Sequence, residues 1–147
     1  MAAVDAGGNS VELRELQDAL SAALGTAQEH LEQNAGFLPF GITVAEDGEI
    51  RIVFVTPGEL DSDGHVDTEA MMADVVELLR QGRDGYRAIA IAQDVTLPEH
   101  GSDGISAGAE HRNGDLLAAV VPYAQTANGL TFGQLESDTN EPVVWVD

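Results

Sequence analysis

Residues 104–123 read GISAGAEHRNGDLLAAVVPY and hold the strongest hairpin signal in the sequence. Asn113-Gly114 stands between two runs in which residues of different polarity alternate. A two-residue type I′ turn needs a positive φ at both central positions, and Asn followed by Gly adopts this conformation at little cost. We therefore predict a β-hairpin whose turn is Asn113-Gly114.

This turn would also fix the register of the hairpin, pairing Arg112 with Asp115 and Ala109 with Ala118. One face would then carry mainly small apolar side chains, from Ile105, Ala107, Ala109, His111, Leu116, Ala118 and Val120. The other face would carry Ser106, Gly108, Glu110, Arg112, Leu117, Ala119 and Val121. Because the first set of side chains is small, we expect a helix to lie close against that face.

Helical periodicity predicts one helix over residues 11–33, capped by Ser10, and a second that is capped by Asp67 or Thr68 and ends near Gly82. Further strands are predicted over residues 42–45, 49–56, 87–97, 130–135 and 143–146. The segment RAIAIAQDVTL at residues 87–97 has apolar residues on both faces, which is typical of a central strand. Residues 1–9 are small and unpatterned and are predicted to be disordered.

The resulting order, α-β-β-α-β-β-β-β-β, predicts a single α+β domain that spans all 147 residues. Because hairpins dominate this order, we expect a largely antiparallel sheet of about six to seven strands. Both helices are predicted to pack on one face of this sheet. The connection through the second helix joins the strand at residues 49–56 to the strand at 87–97. It is compatible with one parallel pair of strands in the sheet.

The chain is strongly acidic, with 26 Asp and Glu residues against 6 basic residues and a net charge of −20. Such a surface repels phosphate backbones and anionic lipids, so we expect neither nucleic acid nor a membrane as a partner. Three interpretations of the acidity remain: a solvated surface, a recognition face for a basic protein, or divalent-cation binding. The acidic residues are scattered through every segment, which favours the solvated surface.

Several chemistries are excluded by residues that the sequence lacks. The absence of cysteine excludes disulfides, thiolate catalysis and cysteine-ligated zinc. All six basic residues are arginine, so a phosphate loop with its lysine is excluded as well. H-E-x-x-H does not occur, and the G-x-S-x-G match at residues 104–108 lies within a predicted hairpin strand and not at the strand-to-helix turn of a nucleophile. We predict no cofactor. No secretory signal and no apolar run of about 20 residues is visible, which predicts a cytoplasmic location.

An acidic stretch before the second helix suggests a cation site. Four carboxylates fall at positions one, three, five and nine of a loop similar to an EF-hand: Glu59, Asp61, Asp63 and Asp67. Two features differ from that motif, since Ala70 stands at position twelve in place of the bidentate Glu and a strand precedes the loop. The alternative interpretation is an acidic loop that caps the helix.

Glu110, His111 and Arg112 form a polar trio beside the predicted turn. In one hypothesis they are the acid and base groups of a small hydrolase or isomerase, in a cleft formed with residues 98–103. Adjacent residues in a strand point to opposite faces, however, which favours a structural role for His111 on the buried face. A cluster of His100 with Glu110 and His111 is a further alternative.

Four short motifs carry a resemblance: F-L-P-F-G at residues 37–41, E-H-R-N-G at 110–114, V-P-Y at 121–123 and F-G at 132–133. Over residues 37–133 the chain resembles a small, uncharacterised bacterial family of single α+β domains. The resemblance implies a fold of this class and no established reaction.

The leading hypothesis for function is a non-enzymatic interaction protein of the adaptor or immunity type. It rests on the lack of catalytic motifs, on the acidity, and on a sheet whose edge strands leave backbone groups unpaired. The expected partner is a protein, basic in one interpretation, or a second copy of the chain in a homodimer.

Overall fold

A computed structural model describes residues 7–33, 36–55 and 67–146 of the chain. Within these ranges lie two α-helices, α1 (Gly7–Gln33) and α2 (Thr68–Gln81). The strands are β1 (Phe40–Ala45), β2 (Ile50–Phe54), β3 (Tyr86–Leu97), β4 (Ser102–His111), β5 (Leu116–Thr126), β6 (Gly129–Phe132) and β7 (Glu136–Asp138). Short 3₁₀ turns at Arg83–Gly85 and Pro98–His100 lead into β3 and β4.

The strands form one antiparallel sheet in the order β2-β1-β3-β4-β5-β6, with β7 paired to β5. The predicted α+β class with an antiparallel sheet is therefore confirmed. The parallel pair that the sequence left open does not form among the described residues, because β3 pairs with β1 and runs antiparallel to it. As predicted, β3 is an interior strand covered on both faces.

The two helices pack on opposite faces of the sheet, so the prediction that both share one face is wrong. Ala88 and Ala90 of β3 lie in the apolar core against α1. Ile89, between them in the strand, packs instead with Val75 and Leu79 of α2. The physical reason is the alternation of β3, which presents one row of alanines and one row of isoleucines to opposite sides, and each row must be covered.

Helix α1 lies close to the sheet because small side chains face each other across the interface. Ala19, Ala23 and Ala27 of the helix are completely buried. On the sheet side, the alanines in the same core are Ala88, Ala90, Ala92, Ala107, Ala109 and Ala119. The expectation of a helix against a face of small residues is confirmed.

The β4–β5 hairpin differs from the predicted type I′ turn. Gly114 has a φ of 102°, whereas no described residue other than glycine has a positive φ, Asn113 included. His111 N–H donates to Asp115 O and Gly114 N–H donates to His111 O, both at 2.9 Å. This pattern is a three-residue loop in which a type I turn is followed by a glycine bulge.

Local hydrogen bonds of Asn113 account for the difference. Asp115 N–H donates to Asn113 Oδ1 at 2.9 Å, and Asn113 N–H donates to His111 Nδ1 at 3.2 Å. An Asn side chain that accepts from the backbone two residues on stabilises a turn without a positive φ at the Asn itself.

The extra loop residue shifts the register by one, so Ala109 pairs with Leu117 and not with Ala118. A one-residue shift turns every side chain of a strand to the other face. The side chains of β5 that join the α1 core are Leu117, Ala119, Val121 and Tyr123, in place of the predicted Leu116, Ala118 and Val120. The predicted face of β4 is correct, with Ile105, Ala107 and Ala109 in that core.

Both ends of the chain also differ from the prediction. Helix α1 begins at Gly7, so Ser10 is not its cap, and residues 7–9 belong to a helix where disorder was expected. Residues 143–146 do not form the last strand, which is β7 in the segment predicted as a loop. At α2 the predicted cap is confirmed, because Asp67 accepts the N–H of Ala70 at 3.1 Å.

Gly114→Val is expected to destabilise the hairpin by about 1–2 kcal/mol or more, because a β-branched residue is strongly disfavoured at a positive φ. Urea unfolding of the variant and the parent measures this loss. The control is Asp115→Ser, which lies beside the turn without a positive φ. Equal and small losses in both variants would contradict the assignment of Gly114 as the bulge residue.

Candidate functional site

The structure places the three polar side chains of the hairpin tip in three different environments. Glu110 lies on the α2 face of the sheet and is buried, with 2% of its surface exposed. His111 lies on the α1 face, and the exposed Arg112 contacts Glu46 in the neighbouring β1–β2 turn. The trio therefore shares no cleft, because adjacent residues of β4 alternate between its faces.

Glu110 binds the backbone of the C-terminal segment, residues 143–146. Its carboxylate accepts the N–H groups of Val143 at 2.9 Å, Val144 at 3.1 Å and Trp145 at 2.7 Å. Both carboxylate oxygens are used in these contacts. Hydrogen bonds from backbone donors to a charged carboxylate are among the stronger ones in proteins. The arrangement makes Glu110 an anchor for this segment rather than a base open to a substrate.

Two arginines bind the carbonyl groups of the same segment. Arg80 Nε donates to Val143 O at 2.6 Å, and Arg83 Nη1 donates to Val144 O at 2.8 Å and Val146 O at 3.0 Å. The Glu110 side chain thus accepts from the N–H groups of residues 143–145, and the two arginines donate to the C=O groups of the same segment, which belongs to no strand. Between these contacts the side chain of Val144 is completely buried among α2 and β3 residues.

His111 connects the start of α1 to the sheet. Its Nε2 lies 2.9 Å from Glu15 Oε1, while its Nδ1 accepts the N–H of Asn113. With Nδ1 acting as an acceptor, the ring donates through Nε2 to the Glu15 carboxylate. Arg87 Nε is 2.7 Å from the other oxygen of Glu15, but its N–H is not directed for a hydrogen bond. These contacts favour the structural role of His111.

A cleft of about 400 Å³ lies on the α2 face, between the helix and residues 138–143. Its floor consists of cross-strand rows of β3, β4 and β5. The middle row is Ile91, Gly108 and Ala118, and the two small residues in it make the floor deep. Asn140 lies over Gly108 and donates to Ala109 O at 3.1 Å. A Cβ at position 108 would be only 3.1 Å from the Asn140 amide, so a larger residue there would have to displace the Asn140 side chain by a few tenths of an ångström.

One end of the cleft is polar. Gln93 and Ser106 are direct cross-strand partners, and both line the cleft and are half-buried. Neither side chain has a hydrogen-bond partner among the described residues. The exposed Asp138 and Glu141 line the cleft as well, and the lining contains no arginine. The cleft therefore combines an apolar floor with hydrogen-bonding groups and a negative rim.

On the α1 face, Tyr123 and Asp94 form a pair that the sequence did not reveal. Tyr123 OH donates to Asp94 Oδ1 at 2.6 Å, and Phe37 N–H donates to Asp94 Oδ2 at 3.3 Å. Burial of the phenol raises the pKa of Tyr123 well above its usual range, and the hydrogen bond to the Asp94 carboxylate raises it further.

This pair predicts a loss of stability in alkali. Because folding raises the pKa of Tyr123, its contribution to the free energy of unfolding is complete below the unfolded value of about 10 and falls as the pH rises above it. Tyr123→Phe is expected to flatten this loss and to cost about 1 kcal/mol at neutral pH. Urea unfolding between pH 8 and pH 11 tests both, with Tyr86→Phe as control. A parallel decline in Tyr123→Phe and the parent would contradict the prediction.

The strand β2 forms an exposed apolar edge. It pairs with β1 alone in the described part of the chain. Ile50, Ile52 and Phe54 lie opposite β1 residues of the α1 core, yet they are 42%, 46% and 54% exposed. Phe54 is stacked on His30, with ring centroids 5.5 Å apart. Three large apolar side chains in a row, beside backbone groups that no second described strand pairs with, are typical of a strand that can receive another strand.

The predicted cation site falls mainly outside the described residues, where Glu59, Asp61 and Asp63 lie. Asp67, the remaining candidate, caps α2. Within the described ranges, no group of three or more His, Asp or Glu side chains is arranged to hold a metal ion. The helices described there are also too short or too polar to cross a membrane.

Sequence reasoning missed Gln93, Ser106 and Asn140, the polar residues of the cleft. One signal was present, since a glycine inside a strand often marks a close approach of another chain segment or a ligand, and Gly108 has this position in β4. Comparisons with protein-family models, curated proteins and solved structures found no match to this chain.

Proposed function

We propose that this protein is a non-enzymatic interaction module that binds a protein partner by adding a strand of that partner to β2. The observation that carries the proposal is the exposed row of Ile50, Ile52 and Phe54 on an edge strand. In strand addition, backbone hydrogen bonds supply affinity and alternate side chains supply specificity.

The charge distribution supports the same surface. Residues 50–55 read IRIVFV and contain no acidic residue, although the chain carries a net charge of −20. The one charged side chain in this stretch, Arg51, is paired with Glu49 at 3.0 Å. An apolar strand can therefore approach here without a carboxylate being buried against it. The partner strand should have apolar residues at alternate positions.

A second copy of the chain satisfies this requirement. If two β2 strands pair antiparallel about Ile52, then Ile50 of each copy lies opposite Phe54 of the other. The three apolar side chains of each copy would then form one continuous row on the same face of the joined sheet. Because residues 50–54 contain no Asp or Glu, no two carboxylates would face each other across the contact. The isologous contact would form a homodimer with twofold symmetry.

The hydrolase or isomerase hypothesis receives less support from the geometry. Glu110 is bonded to backbone N–H groups and His111 to Glu15, on opposite faces of β4. An acid and base pair must reach one substrate together.

Light scattering and affinity capture test the proposal with one pair of variants. Ile52→Thr alters the β2 edge, and Leu78→Thr is the matched control, because Leu78 is similarly exposed at 43% but lies on α2. We expect the parent chain either to dimerise in light scattering or to capture a protein partner. Leu78→Thr should keep this association, and Ile52→Thr should lose it.

Two results would overturn the proposal. One is a strict monomer at high concentration that captures nothing from a lysate of its source. The other is an association that Ile52→Thr leaves as strong as in the parent, which would place the interface elsewhere.

A further inference from the structure

We propose that the cleft on the α2 face binds a small amphipathic ammonium compound, with an apolar body over the floor and an N–H donor at the polar end. This inference is independent of the β2 edge, which lies outside the cleft lining. A cavity of about 400 Å³ falls within the range of small-molecule sites.

The apolar part of the cleft defines the body of the ligand. Ile91 lies on the floor beside Gly108 and Ala118, while Met72 and Val76 line it from α2. Met72, Val76 and Ile91 are half-buried, so part of their apolar surface is available for contact. A phenyl or short alkyl group covers such a surface, and burying its apolar area there favours binding.

The polar part of the cleft defines the head group. Gln93 and Ser106 face the cleft as cross-strand neighbours without a hydrogen-bond partner among the described residues. Each offers an oxygen that can accept a hydrogen bond. Their polar atoms are not among the buried unpaired atoms of the described residues, so they remain open to water. A ligand that donates to them replaces these water contacts with its own hydrogen bonds.

The charge of the lining defines the sign of the ligand. Asp138 and Glu141 lie on the rim, and the lining has no arginine. Glu110 also lines the cleft, but its carboxylate is already bound to the N–H groups of residues 143–145. An anion would therefore meet only negative or neutral groups, whereas an ammonium group is attracted and can donate to the Gln93 and Ser106 oxygens.

Three probes distinguish this site from general attraction to an acidic protein. Phenethylammonium has both the apolar body and the head group, methylammonium has the charge alone, and 3-phenylpropanoate has a similar body with the opposite charge. We expect phenethylammonium to cause saturable changes in the ¹⁵N NMR spectrum at Ile91, Ser106 and Gly108. Methylammonium and 3-phenylpropanoate should bind at least about tenfold more weakly.

Two variants test the position of the ligand. Gln93→Leu removes one acceptor and should weaken phenethylammonium binding by about two- to tenfold, the effect of one hydrogen bond. Ala118→Leu fills the floor and should abolish the spectral changes at Gly108. Circular dichroism of each variant verifies that it is folded. If Ala118→Leu does not fold, Gln93→Leu together with the three probes decides the question.

The proposal is overturned if phenethylammonium causes no saturable change. It is equally overturned if methylammonium binds as well as phenethylammonium, if 3-phenylpropanoate binds as well, or if folded variants bind as the parent does. None of these results depends on β2, so the test stands apart from that of the interaction surface.

Discussion

Glu110→Ala is expected to destabilise the protein by about 3–5 kcal/mol, because three backbone N–H groups lose a carboxylate acceptor and a hydrogen bond to such a group contributes about 1.5–3 kcal/mol. The change takes away the only carboxylate acceptor for the N–H groups of Val143, Val144 and Trp145 among the described residues. The Val144 N–H lies in a buried site, where an unpaired donor costs about 1–3 kcal/mol. The segment is then expected to detach so that water can bind these groups.

Two measurements separate loss of stability from release of the segment. Urea unfolding gives the free energy of unfolding, and amide hydrogen exchange reports the opening of Val143, Val144 and Trp145 directly. Trp145 is the only tryptophan in the chain, so its fluorescence should shift to the red when the segment leaves the sheet.

Two further variants serve as controls. Glu110→Gln retains one carbonyl oxygen and should lose about half as much, since hydrogen bonds to a neutral acceptor are roughly half as strong. Glu141→Ala removes an exposed acid near the same segment and should change stability by less than about 0.5 kcal/mol. If Glu110→Ala were no more destabilising than Glu141→Ala, Glu110 would not be the anchor.

The strands that could be predicted from the sequence are those whose pattern is local. β3 was predicted within one residue at its start because its alternating alanines and isoleucines leave no other secondary structure that buries both rows. The same pattern also required cover on both faces. Assigning both helices to one face overlooked the isoleucine row, which packs on α2.

The register of the β4–β5 hairpin depended on detail that a dipeptide signal does not contain. Asn113-Gly114 is compatible with a two-residue loop and with a three-residue loop that ends in a glycine bulge. Contacts of Asn113 with Asp115 and His111 accompany the second form. A difference of one loop residue then exchanged the two faces of β5.

The C-terminal segment, residues 143–146, shows that strand propensity alone does not predict whether a segment joins a sheet. Residues 143–146, VVWV, have strong strand preference, and an extended backbone was a fair expectation. Their backbone hydrogen bonds, however, go to Glu110, Arg80 and Arg83, which are distant in the sequence. No local pattern specifies such contacts. The same limit hid the cleft, because Gln93 and Ser106 become neighbours only through the β3–β4 register.

Ala90→Leu is expected to destabilise the protein by about 3 kcal/mol, at the upper end of the usual range for an overpacked core. Ala90 is completely buried in the central strand, in the same core as Ala19, Ala23 and Ala27 of α1. Because alanines on both sides let the helix lie close, three extra carbon atoms have no space unless the helix moves outward. Such a movement would also loosen Ala109, the cross-strand neighbour of Ala90.

The matched control for this change lies one residue away on the same strand. Ile89→Leu conserves volume on the α2 face and should cost less than about 1.5 kcal/mol. Thermal and urea unfolding compare the two variants, and crystal structures or amide spectra show whether α1 shifts. A loss in Ala90→Leu no greater than in Ile89→Leu would mean that the α1 interface can relax. Close packing of α1 on small residues would then not be what holds this face of the sheet together.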